Sequence, residues 1–127
     1  MRLFLVRHAE AAPGEPDALR PLTAAGRDTA RALAEQLAAE LPDAVLSSPL
    51  LRARETAEAI ARATGLNAEP DERLAPGATA NDIREAVAER GQTVVVVGHQ
   101  PDCSEILFEL TGEQRPFAPG AAAAVDL

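Results

Sequence analysis

A chain of 127 residues with 46% hydrophobic and 25% charged side chains has the size and composition of one globular domain, able to fold without disulfide or metal staples. Its formal charge is -8 and all twelve basic residues are Arg, which excludes a Schiff-base lysine and a lysine-containing P-loop. A net-negative surface repels phosphate backbones, and three Phe with no Trp or Tyr leave almost nothing for bases to stack on, so no nucleic-acid partner is expected.

Leu3-Phe4-Leu5-Val6 is a continuous apolar run of strand length between Arg2 and Arg7. It is too short for a signal-peptide core or a membrane span, so a cytoplasmic protein with no membrane attachment is expected. Residues 11–22, with Pro13, Gly14, Pro16 and Pro21, read as a loop. From Ala24 to Leu41 the spacing predicts a helix. Ala30, Leu33, Leu37 and Leu41 recur every three or four residues, Arg31, Glu35 and Glu40 lie off that stripe, and Thr23 is the expected N-cap.

Ala44-Val45-Leu46 is a second, shorter apolar run. The next helix is expected to open with Ser48 as N-cap and Pro49 at the first helical position, run to about Thr64 and stop at Gly65. Its apolar side is Leu50, Ala53, Ala57, Ile60 and Ala61. Residues 71–80 read as a loop, and a third helix is expected over about Asn81 to Arg90, ended by Gly91. Val94-Val95-Val96-Val97 is the next strand, and a fourth helix opens at Pro101 and runs through Ile106, Leu107 and Leu110 to Gly112. Residues 119–127 read as a last edge strand.

Strands that are apolar on both sides need cover on both faces. Together with the alternation of strands and helices this predicts an α/β fold, a three-layer α/β/α sandwich with a mainly parallel central sheet, in a single domain over residues 1–127. Cys103 has no partner for an internal disulfide and reads as a small core hydrophobe, as in an intracellular protein. No C-x-x-C or H-E-x-x-H spacing marks a metal site.

In open parallel sheets, ligands bind beyond the carboxyl ends of the strands. The first apolar run ends in Arg7-His8, the second in Ser47-Ser48-Pro49 with Arg52 one turn on, and the last in Gly98-His99. Both histidines of the chain and two arginines therefore project from one sheet edge. Taken singly, Arg7-His8 fits a polar strand end, His99 a helix cap, and Gly98 either a tight turn or a close approach to a ligand. Arg52 carries a cation in the first turn of its helix, against a macrodipole that disfavours it by about 0.3–1 kcal/mol. Either Glu55, with Glu58 serving Arg54, or a bound phosphate is expected to compensate it. A Cys-x5-Arg phosphatase loop is absent, since Glu109 stands six residues beyond Cys103.

The strings LVRHAE (residues 5–10), SSPLLRARETA (residues 47–57) and VVVVGH (residues 94–99), in that order, together resemble the histidine phosphatase superfamily, also called the phosphoglycerate mutase-like fold. The short chain and the R-P-L-T-x-x-G stretch from Arg20 to Gly26 resemble its small SixA-type phosphohistidine phosphatase branch. The resemblance implies a metal-independent phosphatase with no cofactor. In it His8 is the nucleophile, Arg7 and Arg52 hold phosphoryl oxygens, His99 completes the pocket, and Ser48 is a further substrate-binding residue. Relatives acting on alcohol phosphates use a carboxylic acid as proton donor. By position Glu10, Glu72 and Asp102 are the candidates, each equally readable as a structural or solvated carboxylate.

Phosphohistidine needs such an acid less, because a protonated ring leaves as neutral imidazole. Short connections imply an open pocket suited to a side chain on another protein, a histidine phosphotransfer or phosphocarrier domain. A small phosphate ester hydrolysed by a phosphomonoesterase of the same fold is the alternative, as is a non-catalytic phosphate-binding module. A metal held by His8 and His99 lacks a further ligand at a diagnostic spacing. The sequence stops at Val125-Asp126-Leu127, shorter than this branch leads one to expect, so an abbreviated last strand is expected.

Overall fold

In the computed structural model, which describes residues 1–127, the two longest apolar runs lie side by side at the heart of one sheet. β1 (Arg2–Arg7) and β4 (Thr93–Gly98) pair in parallel along their whole length, with Arg2 opposite Thr93 and Arg7 opposite Gly98. β2 (Ala44–Ser47) and β3 (Ala68–Pro70) extend the sheet beyond β4, both parallel. β5 (Ala122–Asp126) closes the other edge, antiparallel to β1, so that the order is β3-β2-β4-β1-β5.

Side chains alternate along each strand, and both sides of this sheet are buried. Phe4, Val6, Val45, Val95 and Val97 face α1 (Ala24–Ala38) and α2 (Leu51–Thr64), meeting Leu33, Leu37, Ala53, Ala57 and Ile60. Leu3, Leu5, Leu46, Val94 and Val96 face α3 (Ala80–Val87) and α4 (Asp102–Thr111), meeting Ile83, Val87, Ile106 and Leu107. Each Val, Leu, Ile or Phe among them contributes about 1.5–3 kcal/mol when fully buried. The predicted three-layer α/β/α sandwich is the fold observed. No helix is long and apolar enough to cross a membrane.

Several element ends differ from the sequence reading, each for a local reason. Thr23 caps α1 as expected, its side chain accepting from the Gly26 N–H, but the helix stops at Ala38 and Leu41 is outside it. Leu41 is 81% exposed at a positive φ of 52°, because Pro42 cannot prolong the helix and the chain turns there into β2. α2 starts at Leu51 with Leu50 as N-cap and no side-chain cap. Ser48 and Pro49 are in the preceding turn, the Ser48 hydroxyl being engaged elsewhere. Gly65 ends α2 in the left-handed conformation, as read.

α3 begins with a Thr79–Asp82 capping box and stops at Val87, short of Arg90, with Glu89 at φ 61°. α4 runs to Thr111 and is closed by Gly112, in agreement with the reading. β3 was not legible: three half-exposed residues carry no pattern. The edge strand β5 has five residues and pairs with Arg2 through Val6, all but the last residue of β1.

Loop 11–22 contains a 3-10 turn at Asp17–Leu19 and is pinched by a bridge between Ala11 and Leu22. Behind it α1 docks directly onto the segment that follows β1. The Glu10 carbonyl accepts from the Thr23 N–H at 3.0 Å, and a Cβ on Gly26 would lie 2.1 Å from that same carbonyl oxygen. Glycine is therefore required at position 26 by space.

Gly26→Ala is expected to push α1 off the His8–Glu10 segment and lower stability by about 1–3 kcal/mol, the usual cost of overpacking. Urea denaturation measures this, and an unchanged midpoint would show that the two segments are not in contact.

Candidate active site

β1 and β4 end on the same rung, and two further hydrogen bonds to β4 carry the pairing one residue past the ends of β1 and β2. The His8 N–H donates to the Gly98 carbonyl and the Ser48 N–H to the Val97 carbonyl, each at 3.0 Å. His8, Ser48 and His99 are thereby held at one height, and the rings of His8 and His99 stand 5.3 Å apart at an interplanar angle of 61°.

The His8 Nδ1 lies 2.7 Å from the Ala9 carbonyl oxygen. A carbonyl only accepts, so Nδ1 carries the proton and Nε2 keeps its lone pair. Ala9 is fixed in turn: its N–H donates to the Thr56 hydroxyl at 3.1 Å, and that hydroxyl donates to the Arg52 carbonyl at 2.9 Å. One buried hydroxyl thus joins the loop bearing His8 to the helix bearing Arg52. Burial lowers the His8 pKa below its ordinary 6.5, against the bond to Ala9 and reinforced by the charges of Arg52, Arg7 and Arg20. The ring is neutral at pH 7.

His99 is buried, with Nε2 2.7 Å from the Ser48 hydroxyl. Its pKa is pushed down to about 4, first by burial and then by His8 and Arg52. Ser48 is fully buried and also accepts from the Leu50 N–H at 3.2 Å. It stands against His99 and orients it, and the expectation that Ser48 caps α2 is corrected, since Leu50 is the N-cap.

Arg7 and Arg52 are both aimed by main-chain carbonyls. The Arg7 Nη1 donates to Phe117 O at 2.8 Å, leaving its Nε buried without a partner. The Arg52 Nη1 donates to Asp17 O at 2.9 Å and its Nη2 to the Asp17 carboxylate at 3.2 Å. Neither carboxylate expected from the helix serves Arg52 or Arg54: the Glu55 carboxylate accepts the Leu22 N–H at 2.7 Å, and Arg54 makes no ion pair with Glu58. Arg20 anchors the same loop through Nε to Ala12 O at 2.8 Å and Nη1 to Asp17 at 3.0 Å. The Gly120 N–H donates to both Arg7 O and His8 O at 3.1 Å, tying the segment before β5 to the end of β1.

Asp17, Arg20, Thr56 and Phe117 were not singled out in the sequence. Arg20 and Thr56 lie inside the R-P-L-T-x-x-G and SSPLLRARETA stretches, and a hydroxyl at position 56, between Ala53 and Ala57 on the apolar side of α2, was a usable signal. The three carboxylates named as acids hold other positions. Glu10 accepts from the Thr23 hydroxyl at 2.7 Å, Asp102 accepts the Gly77 N–H at 2.8 Å, and Glu72 is exposed in a 3-10 turn. Gly98 is in the ladder at an ordinary φ with open space where a Cβ would go, so the tight-turn reading does not hold. Cys103 is buried, its thiol pushed up to about 12 by burial, and unreactive. No group of three or more His, Cys, Asp or Glu gathers as a metal site.

The arrangement presents two guanidinium groups, an uncapped helix N-terminus and a bare imidazole nitrogen at one sheet edge. It is fitted to receive a tetrahedral oxyanion and offer it a nucleophile.

Residues 3–76 match the model of the histidine phosphatase superfamily, branch 1. The phosphohistidine phosphatase SixA of Escherichia coli is 33% identical over 100% of this chain and 86% of its own length. The structure of the protein histidine phosphatase SixA complexed with tungstate superposes with a TM-score of 0.88 at 33% identity, covering 100% of this chain and 88% of that one. A mycobacterial glucosyl-3-phosphoglycerate phosphatase, at a TM-score of 0.76 and 20% identity over 97% of this chain and 88% of its own, shares the fold. The chain belongs to the histidine phosphatase superfamily, as a phosphatase of its small SixA-type form.

Proposed function

We propose that this chain removes phosphate from phosphohistidine on another protein, by way of a phosphohistidine formed on His8. The observation that carries the reading is the His8 ring: neutral, locked by Ala9 with Nε2 bare, and set beside His99, Arg7 and Arg52. The Nε2 lone pair attacks phosphorus in line, and the nitrogen–phosphorus bond of the substrate breaks as its imidazole, already protonated from solvent on the other ring nitrogen, takes the electron pair and leaves neutral. Water then attacks the phosphoryl group on His8, releasing inorganic phosphate and restoring the ring. Arg7 and Arg52 hold oxygens of the phosphoryl group, whose charge is spread over three of them in the transition state. Side-chain cations supply the counter-charge, so the reading includes no metal and no cofactor.

An incoming oxyanion raises the proton affinity of His99, which then adds a third positive charge at the moment of need. Imidazole departs neutral once protonated, and Glu10 and Asp102 are already bonded within the fold. Both points favour phosphohistidine over an alkyl phosphate. Short connections around the sheet edge favour a substrate carried on a protein surface, a phosphotransfer or phosphocarrier domain of the cytoplasm. The relationship to SixA supports the same substrate. Residues 1–127 act as one domain in this reading.

Incubated with a phosphohistidine-bearing phosphotransfer domain, the wild type is expected to release phosphate and His8→Ala to lose about a thousandfold or more in rate. Phosphate binding without turnover would leave a binding module, and preferential turnover of sugar or aryl phosphates would make the chain a phosphomonoesterase.

The chain contains two histidines, so proton NMR resolves both rings, assigned by His8→Ala. Their pKa values are lowered, so each should stay neutral down through pH 6.5 and charge below it, His99 near pH 4. Added phosphate should move His99 upward. A ring titrating above 6.5 in the free protein would contradict the assigned burial.

A further inference from the structure

The Asp17 carboxylate has a position that the reaction as described does not use. Its Oδ1 takes Arg20 Nη1 at 3.0 Å and its Oδ2 takes Arg52 Nη2 at 3.2 Å, so one acidic group is shared between two cations. The main-chain carbonyl of the same residue holds Arg52 Nη1 at 2.9 Å. The two contacts with Arg52 have different characters. The carbonyl belongs to the fixed backbone of a 3-10 turn and aims the guanidinium. The carboxylate is on a side chain that is 62% exposed, set against an Arg52 side chain that is 9% exposed, and it can leave without disturbing that aim.

It also has somewhere to go. Arg20 is anchored independently through Nε to Ala12 O, and Oδ1 is already on it, so the side chain can give up Arg52 and remain paired. A phosphoryl group arriving at Arg52 meets a carboxylate on the same guanidinium, and like charges on one site disfavour each other.

We propose that the Asp17 carboxylate is a built-in competitor for phosphate at Arg52, swinging onto Arg20 alone when the phosphoryl group binds and returning to help expel the inorganic phosphate product. This rests on the reading of Arg52 as a phosphoryl ligand. Asp17 acts through Arg52 and sets affinity, while its main-chain carbonyl retains the positioning role in any side-chain variant.

The test measures inorganic phosphate binding by calorimetry, and its inhibition of aryl phosphate turnover, for wild type, Asp17→Asn, Glu15→Gln and Arg52→Gln. Asp17→Asn keeps the side chain's shape and removes its charge. It should bind phosphate about fivefold more tightly at low salt, the scale of an exposed ion pair, with the gain shrinking as salt rises. KM for the aryl phosphate should fall by a similar factor. Glu15→Gln removes a neighbouring exposed carboxylate of the same loop and should leave binding unchanged. Unchanged or weaker phosphate binding by Asp17→Asn, or an equal gain from Glu15→Gln, would overturn the proposal. In those cases Arg52→Gln separates the levels: if it abolishes phosphate binding, the assigned anion site stands and only the competitor role is lost. If it too leaves binding intact, the anion site itself is wrongly assigned.

Discussion

Arg7 and Gly98 face each other on the last rung of the β1–β4 ladder, and the pocket depends on both strands ending there. Residues about 90 positions apart in sequence are brought to one height by parallel pairing, and the backbone bonds from His8 to Gly98 and from Ser48 to Val97 extend that alignment past the sheet. Parallel registers are fixed by burial on both faces, since a slip of one residue would exchange the two hydrophobic cores. The valines and leucines of the centre therefore do more than stabilise the fold. They set the relative position of the two imidazoles to within the tolerance of a packed interior.

Charge is arranged around that geometry in an uneven way. The whole chain is acidic, yet Arg7, Arg20 and Arg52 gather at the sheet edge that carries both histidines. Burial, and with it the clustered cations, lowers the pKa of both rings, which in the proposed reaction suits one as a nucleophile and leaves the other able to gain a proton when an anion enters. Asp17 balances two of these cations, Arg20 and Arg52. Its own carboxyl is held below the usual range by the bond from Arg20, with Arg52 beside it, so it remains an anion at the pH values at which the histidines are neutral.

Legibility in the sequence divides along a physical line. The central strands, the apolar faces of α1 and α2, the glycine stops at Gly65 and Gly112, and the convergence of Arg7, His8, Arg52 and His99 were all readable. Periodicity and topology place them. The second layer was not. Ala9, Ala12, Asp17 and Phe117 each act through a main-chain carbonyl, and a carbonyl is common to every residue type, so no side-chain pattern can announce it. Ser48 misled for a related reason: a serine before a proline and a helix is a good cap by local rules, but its hydroxyl is taken by His99, 51 positions away. Long-range claims on a polar atom override local propensity, and they concentrate where chemistry is done.

The acceptor that aims Arg7 and the donor that grips Arg7 and His8 come from Phe117 and Gly120, the former 110 positions further along the chain. A nascent polypeptide that has emerged only through α4 already contains every residue of the three motifs, yet its Arg7 has no carbonyl to rest on and β1 is still an open edge. On a ribosome adding about 5–20 residues per second, motif and competence are thus separated in time. Arg7 and His8 wait for residues 117–120, so their geometry is complete only once that segment has been made.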